Sequence, residues 1–140
     1  MDSLVIAVDS STTSTKAIIV DRTGTVLSQA KVEFAMSTPR VDFYEQDPRD
    51  WWKSTNEAVG QAVAQLSDTD RSRIEFLCAT IQRQSFALVD SEGIPLRPGI
   101  LWLDGRAAEQ VKKIGSRRVH ELSGFQPDTT PSIYLSLIHI

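Results

Sequence analysis

Cysteine is nearly absent from this 140-residue chain: Cys78 stands alone and cannot close an internal disulfide. A lone thiol is compatible with a reducing compartment, and its place in the apolar stretch Ile74–Ile81 reads as a small core filler. Long apolar runs are missing too. No segment is long enough to span a bilayer, and Asp2 precedes too short an apolar run for a secretory signal, so a cytoplasmic protein is the default. Charge of one sign is scarce: 15 Lys and Arg against 18 Asp and Glu leave a net −3, which points away from nucleic acid and anionic membranes as general partners. What remains is 41% hydrophobic and 24% charged, the balance of a soluble globular chain of one-domain size, able to bury a core.

The chain is organised around Leu4–Asp21. The β-branched run Leu4–Val8 ends at Asp9; small and hydroxylated residues fill Ser10–Thr15; Lys16 and a second apolar run, Ala17–Val20, follow. This pattern predicts two strands joined by a turn that carries a carboxylate, hydroxyls, backbone N–H groups and one ammonium. Such a turn suits a phosphate chain held through a metal, since Mg²⁺ takes carboxylate, water and phosphate oxygens while hydroxyls, amides and Lys bind those oxygens directly. An ordinary polar hairpin with a solvated Lys has the same composition, and the loop by itself does not choose. It is not a Walker-type loop, because the glycines of GxxxxGK[ST] are missing.

Further along, Asp21–Gly24 is a turn signal and Thr25–Phe34 alternates as a third strand would, giving an antiparallel meander. Met36–Tyr44 has no periodicity and reads as a loop. Asp47, Pro48 and Asp50 mark a helix start, and Trp51, Ala58, Val59, Ala62, Val63 and Leu66 return to one face, predicting a helix over 48–66 ended by the polar run 67–71. Trp51 and Trp52 read as packing at its N-terminus. Ile74–Ile81 is predicted as a buried strand and Phe86–Asp90 as another, followed by a turn, the short apolar stretch Ile100–Leu103, and a helix from about 107 to 122. A meander followed by strand, helix and strand signals implies a mixed sheet in an α/β domain.

Between the two apolar runs, Gln82-Arg83-Gln84 places hydrogen-bonding side chains at a strand end, where open α/β sheets bind ligands. Arg and Gln there can fork onto vicinal hydroxyls or a carboxylate; the plainer reading is a polar connection with a surface Arg. His120 and His139 have no partners at ligand or catalytic spacing and read as structural or exposed.

Three segments in order, the Asp9–Lys16 loop, Tyr44–Pro48 with Trp51-Trp52, and Ile100–Arg106, resemble the N-terminal domain of the FGGY carbohydrate kinases, the family of xylulokinase and glycerol kinase. The likeness runs from about residue 4 to 130. It implies a ribonuclease-H-like, actin-like ATPase fold, with a mixed sheet behind a leading antiparallel meander, and phosphoryl transfer from Mg·ATP to a sugar or polyol hydroxyl. By position, the resemblance makes Asp9 the Mg²⁺-associated carboxylate, Thr12 and Thr13 the hydroxyls beside the transferred phosphate, and Lys16 the loop cation. It makes Arg83, Gln84, Trp102 and Asp104 the substrate side, with core packing and helix capping the plainer roles of the last two. The Arg-Gln pair matches neither the Arg-Glu of glycerol kinases nor the Met-His of xylulokinases, so the sugar stays open, while Trp102 and Arg83 lean toward a polyol or ketose. Ser11 stands where many members have Gly.

The resemblance also sets expectations about extent. Residues 1–134 read as a partial N-terminal kinase domain, incomplete at its C-terminus, and 135–140 as an atypical tail foreign to the native sequence. The general base is expected beyond residue 140 and the nucleotide mostly on a missing second domain, so the 140-residue chain by itself is expected to be inactive; a homodimer is open to the full-length protein. Two rivals are a non-catalytic sugar-binding module and another actin-like ATPase, the latter expected to lack Glu45–Pro48 and Trp51-Trp52.

Overall fold

A computed structural model describes residues 3–139; Met1, Asp2 and Ile140, the last residue of the expected tail, lie outside the described residues. The chain divides into two compact units, one formed by 1–35 and 49–82, the other by 36–48 and 83–140.

The first unit is built on the meander. Strands β1 (Leu4–Ser10), β2 (Ser14–Val20) and β3 (Val26–Glu33) pair antiparallel in sequence order, and β5 (Ile74–Ile81) joins β1 in parallel, giving the order β3-β2-β1-β5. The period of two decides the faces. Leu4, Ile6 and Val8 alternate inward with Ala17 and Ile19 opposite them, and all are buried against Ala58, Ala62 and Leu66. Ala58 and Ala62 lie on helix α1 (Pro48–Ala64), where their small side chains share one face at i, i+4 spacing. The helix starts at Pro48 as its start signals predict but ends at Ala64, short of Leu66. The polar run after it is itself helical, α2 (Asp68–Arg71), because Ser67 caps it by accepting the Asp70 N–H at 3.1 Å.

Strand β5 forms where the sequence predicts it, but it is not buried. Phe76, Leu77 and Ile81 are 60%, 59% and 68% exposed, and Cys78 is exposed rather than a core filler. The strand lies at the outer edge of the sheet, and only its first residue, Ile74, joins the core cluster drawn from β1, β2, β3 and α1. An apolar run reports what can be buried, not what covers it. Trp52 departs in the same way: it is 71% exposed and does not pack at the helix N-terminus.

In the second unit, β4 (Glu45–Gln46) pairs antiparallel with β6 (Gly99–Ile100), and Met36–Tyr44 is the loop expected, with one bridge from Ser37 to Glu45. Phe86–Asp90 does not make a strand. It forms single bridges, Phe86 to Ile100 and Val89 to Pro95, because the opposing segment carries Pro95 and Pro98, which have no N–H for a ladder. The helix expected over 107–122 is two helices, α3 (Ala108–Ile114) and α4 (Arg117–Ser123). Gly115 leaves helical geometry between them; any side chain at that position would collide with the Val111 carbonyl oxygen, and Ser116 restarts the helix by accepting the Val119 N–H. Ile100, Ala107, Tyr134 and Leu135 form this unit's core. Tyr134 and Leu135 belong to α5 (Ser132–Ser136), which runs across the 134/135 boundary and is followed by a 3-10 turn, Leu137–His139. Among the described residues, no helix is long and apolar enough to cross a membrane.

Candidate functional site

The β1–β2 register places Asp9 opposite Lys16 and Ser10 opposite Thr15, and the β1–β5 register places Thr80 on the other side of Asp9. Cross-strand partners share a face. An ammonium, a carboxylate and a hydroxyl therefore stand in a row on the sheet face opposite α1. Together with Ala7, Val8 and Ile18 they line a cavity of about 150 Å³. Asp9 and Lys16 are both exposed. Residues 11–14 close the hairpin beside the row: Ser11 donates through both its N–H and its Oγ to the Ser14 carbonyl, each at 2.9 Å. Thr12 is half-buried and Thr13 exposed in this turn, and the Thr13 carbonyl accepts the Phe34 N–H at 3.1 Å.

Beneath the turn the strands are anchored by hydroxyls. Thr15 Oγ1 lies 2.8 Å from Ser54 Oγ of α1 and 3.3 Å from Ser10 Oγ, with Thr15 and Ser54 both buried. The loop is thus tied to the helix below it while its upper side stays open. One carboxylate, a cation, hydroxyls and turn amides fit a Mg-phosphate group, which needs few protein ligands because water and phosphate oxygens complete the shell. The donor set does not suit an all-protein metal cage; among the described residues no three His, Cys, Asp or Glu converge.

The second unit holds the other four expected residues. Gln84 adopts a left-handed backbone, φ 65°, and its side-chain oxygen accepts the Ser132 N–H at 2.8 Å. Trp102 is 38% exposed, and its backbone N–H donates to Ser85 Oγ at 3.1 Å, which brings the Trp102 segment to the one that carries Gln84. Arg83 is exposed. Asp104 is fully buried and its carboxylate is fully engaged: Arg106 donates to both its oxygens, at 2.7 and 2.8 Å, and the Tyr44 N–H donates to one of them at 2.7 Å. Arg106 also reaches Glu45 at 2.8 Å and stacks on the Phe43 ring, 4.0 Å from its centroid. Burial disfavours the guanidinium charge, but hydrogen bonds and attraction from Asp104 and Glu45 outweigh it and hold Arg106 above its ordinary pKa.

Two residues of interest escape the sequence. Thr80 reaches the cavity only through the parallel register of β5, which no local pattern encodes. Tyr134 is buried with a hydroxyl that has no hydrogen-bond partner among the described residues, an arrangement costly enough to ask for one. Neither histidine gathers ligands: His120 Nδ1 lies 3.0 Å from the Phe125 carbonyl, and His139 stands near Arg97 and edge-on to Phe86.

Residues 4–133 match the family described as FGGY family of carbohydrate kinases, N-terminal domain. The chain is 36% identical over 124 residues to a xylulose kinase of Streptomyces coelicolor, covering 86% of the chain and 23% of that protein. It is 33% identical over 131 residues to a glycerol kinase of Thermococcus onnurineus, covering 91% of the chain and 26% of that protein. Among solved structures, the xylulose kinase of Rhodospirillum rubrum superposes with a TM-score of 0.76 at 31% identity, over 80% of this chain and 23% of that one. The chain thus spans about a quarter of the length of the curated relatives it matches. The antiparallel meander with a parallel fourth strand agrees with the fold these likenesses imply. With its family pattern running from Leu4 to Ile133, the chain belongs to the FGGY family of carbohydrate kinases.

Proposed function

We propose that the protein carrying this chain transfers a phosphoryl group from Mg·ATP to a hydroxyl of a sugar or polyol, in the cytoplasm. The observation that carries this reading is the row of Lys16, Asp9 and Thr80 on an open sheet face beside a hydroxyl-rich turn, in a chain of kinase family. In this reading Asp9 holds the metal through water or directly, Lys16 neutralises phosphate charge, and Thr12 and Thr13 orient phosphate oxygens. Arg83, Gln84 and Trp102 meet the sugar. Asp104 serves the substrate side by position, fixing through Arg106 and Tyr44 the loop that carries Trp102. The domain is taken as 1–134, with a second kinase domain as its partner.

The test is a phosphotransferase assay on the polypeptide as its source cells make it. Asp9→Ala and Lys16→Ala should each lower kcat far more than they weaken sugar binding. Equal losses in both would contradict the phosphate-side assignment.

A further inference from the structure

We propose that Ser54, on the helix side of the sheet, is a positioning residue for phosphoryl transfer: through Thr15 it fixes the strand ends from which Asp9 and Lys16 emerge on the other side. The inference rests on the phosphotransferase reading for what the row of Lys16, Asp9 and Thr80 holds, and on the hydroxyl contacts beneath that row for the rest.

Three elements change chemistry at the same end. Along the inward face, β1 reads Leu4, Ile6, Val8 and then Ser10. Followed back toward the turn, β2 reads Ile19, Ala17 and then Thr15, and α1, followed back toward its start, reads Ala62, Ala58 and then Ser54. Each stripe is apolar until the end that carries the turn, and hydroxylic there. Ser10, Thr15 and Ser54 are only 8%, 0% and 3% exposed. Burial does not call for hydroxyls. Replacing both partners of a buried hydrogen bond by apolar groups of the same shape is close to neutral in stability, so valine and alanine would serve the core as well. What apolar packing lacks is direction.

A hydroxyl has one proton, so these contacts form an ordered chain. With Thr15 Oγ1 donating to Ser10 Oγ at 3.3 Å, the 2.8 Å contact is a donation from Ser54 to Thr15. The Trp51 carbonyl, the other acceptor near Ser54 at 3.2 Å, already receives Thr55 Oγ1 at 2.7 Å. The chain thus runs from α1 to β2 to β1 across the pair Thr15–Ser10, and the next pair in the register is Lys16–Asp9. Successive residues of a strand point to opposite faces, so a shift of Ser10 and Thr15 on the helix side also displaces the carboxylate and the ammonium on the open side. Phosphoryl transfer is sensitive to such a shift, because its catalysis is almost entirely positioning and charge stabilisation.

A second tie of the same kind supplies a control. Ser28 of β3, opposite Ile19 near the far end of the β2–β3 ladder, donates its Oγ–H to the Ala62 carbonyl of α1 at 2.9 Å in a buried site. It fastens sheet to helix away from the turn.

The experiment compares Ser54→Ala, Thr15→Val, Thr15→Ser and Ser28→Ala in the polypeptide as its source cells make it, with thermal melts to show which are folded at the assay temperature. Without any ligand, hydrogen–deuterium exchange over 9–16 should rise about threefold in Ser54→Ala and Thr15→Val and stay unchanged in Ser28→Ala. With Mg·ATP and glycerol, D-xylulose or D-gluconate as acceptor, the first two should lower kcat about tenfold while the acceptor KM stays within about twofold. Thr15→Ser, which keeps the hydroxyl, and Ser28→Ala should hold kcat within about twofold. Equal losses of kcat in Ser28→Ala and Ser54→Ala overturn the inference, since any tie between sheet and helix would then matter as much. So does an unchanged kcat in folded Ser54→Ala; if that variant does not fold, equal kcat in Thr15→Val and Thr15→Ser overturns it instead. These results leave the kinase reading standing. No turnover by the unaltered polypeptide with any of the three acceptors overturns that reading, and the inference with it.

Discussion

Arg106 grips Asp104 with two parallel hydrogen bonds, Nε to Oδ1 at 2.7 Å and Nη2 to Oδ2 at 2.8 Å, and neither side chain reaches solvent to any extent: they are 8% and 0% exposed. The two residues are separated by a single glycine, Gly105, whose N–H donates to the Asp42 carbonyl at 2.8 Å. A charge pair between near neighbours thus fastens the loop after Trp102 to the loop before β4, with Glu45 as a second anchor.

Removing one partner of such a pair leaves a buried charge uncompensated. Arg106→Met is expected to cost about 3–5 kcal/mol, measured by urea denaturation, even though Met fills much of the same volume. Arg117→Met, which breaks the exposed pair to Glu121, should stay within about 0.5 kcal/mol. Comparable small losses in both would refute the structural importance given to the buried cluster.

The Thr15–Ser54 hydroxyl pair makes a second, independent prediction. Each of Thr15→Val and Ser54→Ala removes the 2.8 Å bond and leaves the other's buried hydroxyl only a longer contact, to the Trp51 carbonyl at 3.2 Å for Ser54 and to Ser10 Oγ at 3.3 Å for Thr15, at about 0.5–1.5 kcal/mol apiece. The double variant should lose less than the two single losses added, because both changes remove the same shared hydrogen bond. Simple additivity in denaturant melts would mean that the two hydroxyls do not depend on each other.

Acid sensitivity should trace partly to the turn at Asp21. The Thr23 hydroxyl donates to its carboxylate at 2.6 Å, the Thr25 and Thr23 N–H groups donate at 3.0 and 2.8 Å, and Arg73 adds attraction, together holding its pKa below the usual 3.8 against the opposing effect of desolvation. A group whose native pKa is depressed stabilises the fold above its unfolded value and loses that contribution as pH falls through the native one. The window therefore opens at about pH 3.8 and extends downward. Thermal melts in this range should show Asp21→Asn losing less stability on acidification than the unaltered chain, with the two curves parallel near neutral pH. Parallel curves throughout would remove Asp21 from the account.

Much of the first unit was legible from local pattern. The alternation Leu4, Ile6, Val8 and the short turns compel a meander, and Pro48 with the 58, 59, 62, 63 face compels α1, because each signal acts over a few residues and the fold satisfies all of them at once. Asp9 and Lys16 could be paired from the hairpin alone. Other features depended on neighbours distant in sequence. Ile74–Ile81 had a strand's composition, but whether it is covered depends on which elements lie against it, and its edge position leaves Cys78 and Phe76 exposed. The 107–122 helix reads as continuous until Gly115 meets the Val111 carbonyl.

By itself, then, the sequence determined the family, the order of strands in the meander and the residue types available at the phosphate turn, since these follow from periodicity and short motifs. The tertiary structure decided that Thr80 joins Asp9 through a parallel register, that Asp104 is consumed by Arg106 instead of standing free, and that the Gln84 side-chain oxygen is taken by the Ser132 N–H. Each of these is a contact between segments whose meeting is fixed by the whole core, and hydrogen bonding at such a contact depends on orientation, which residue identity alone does not specify.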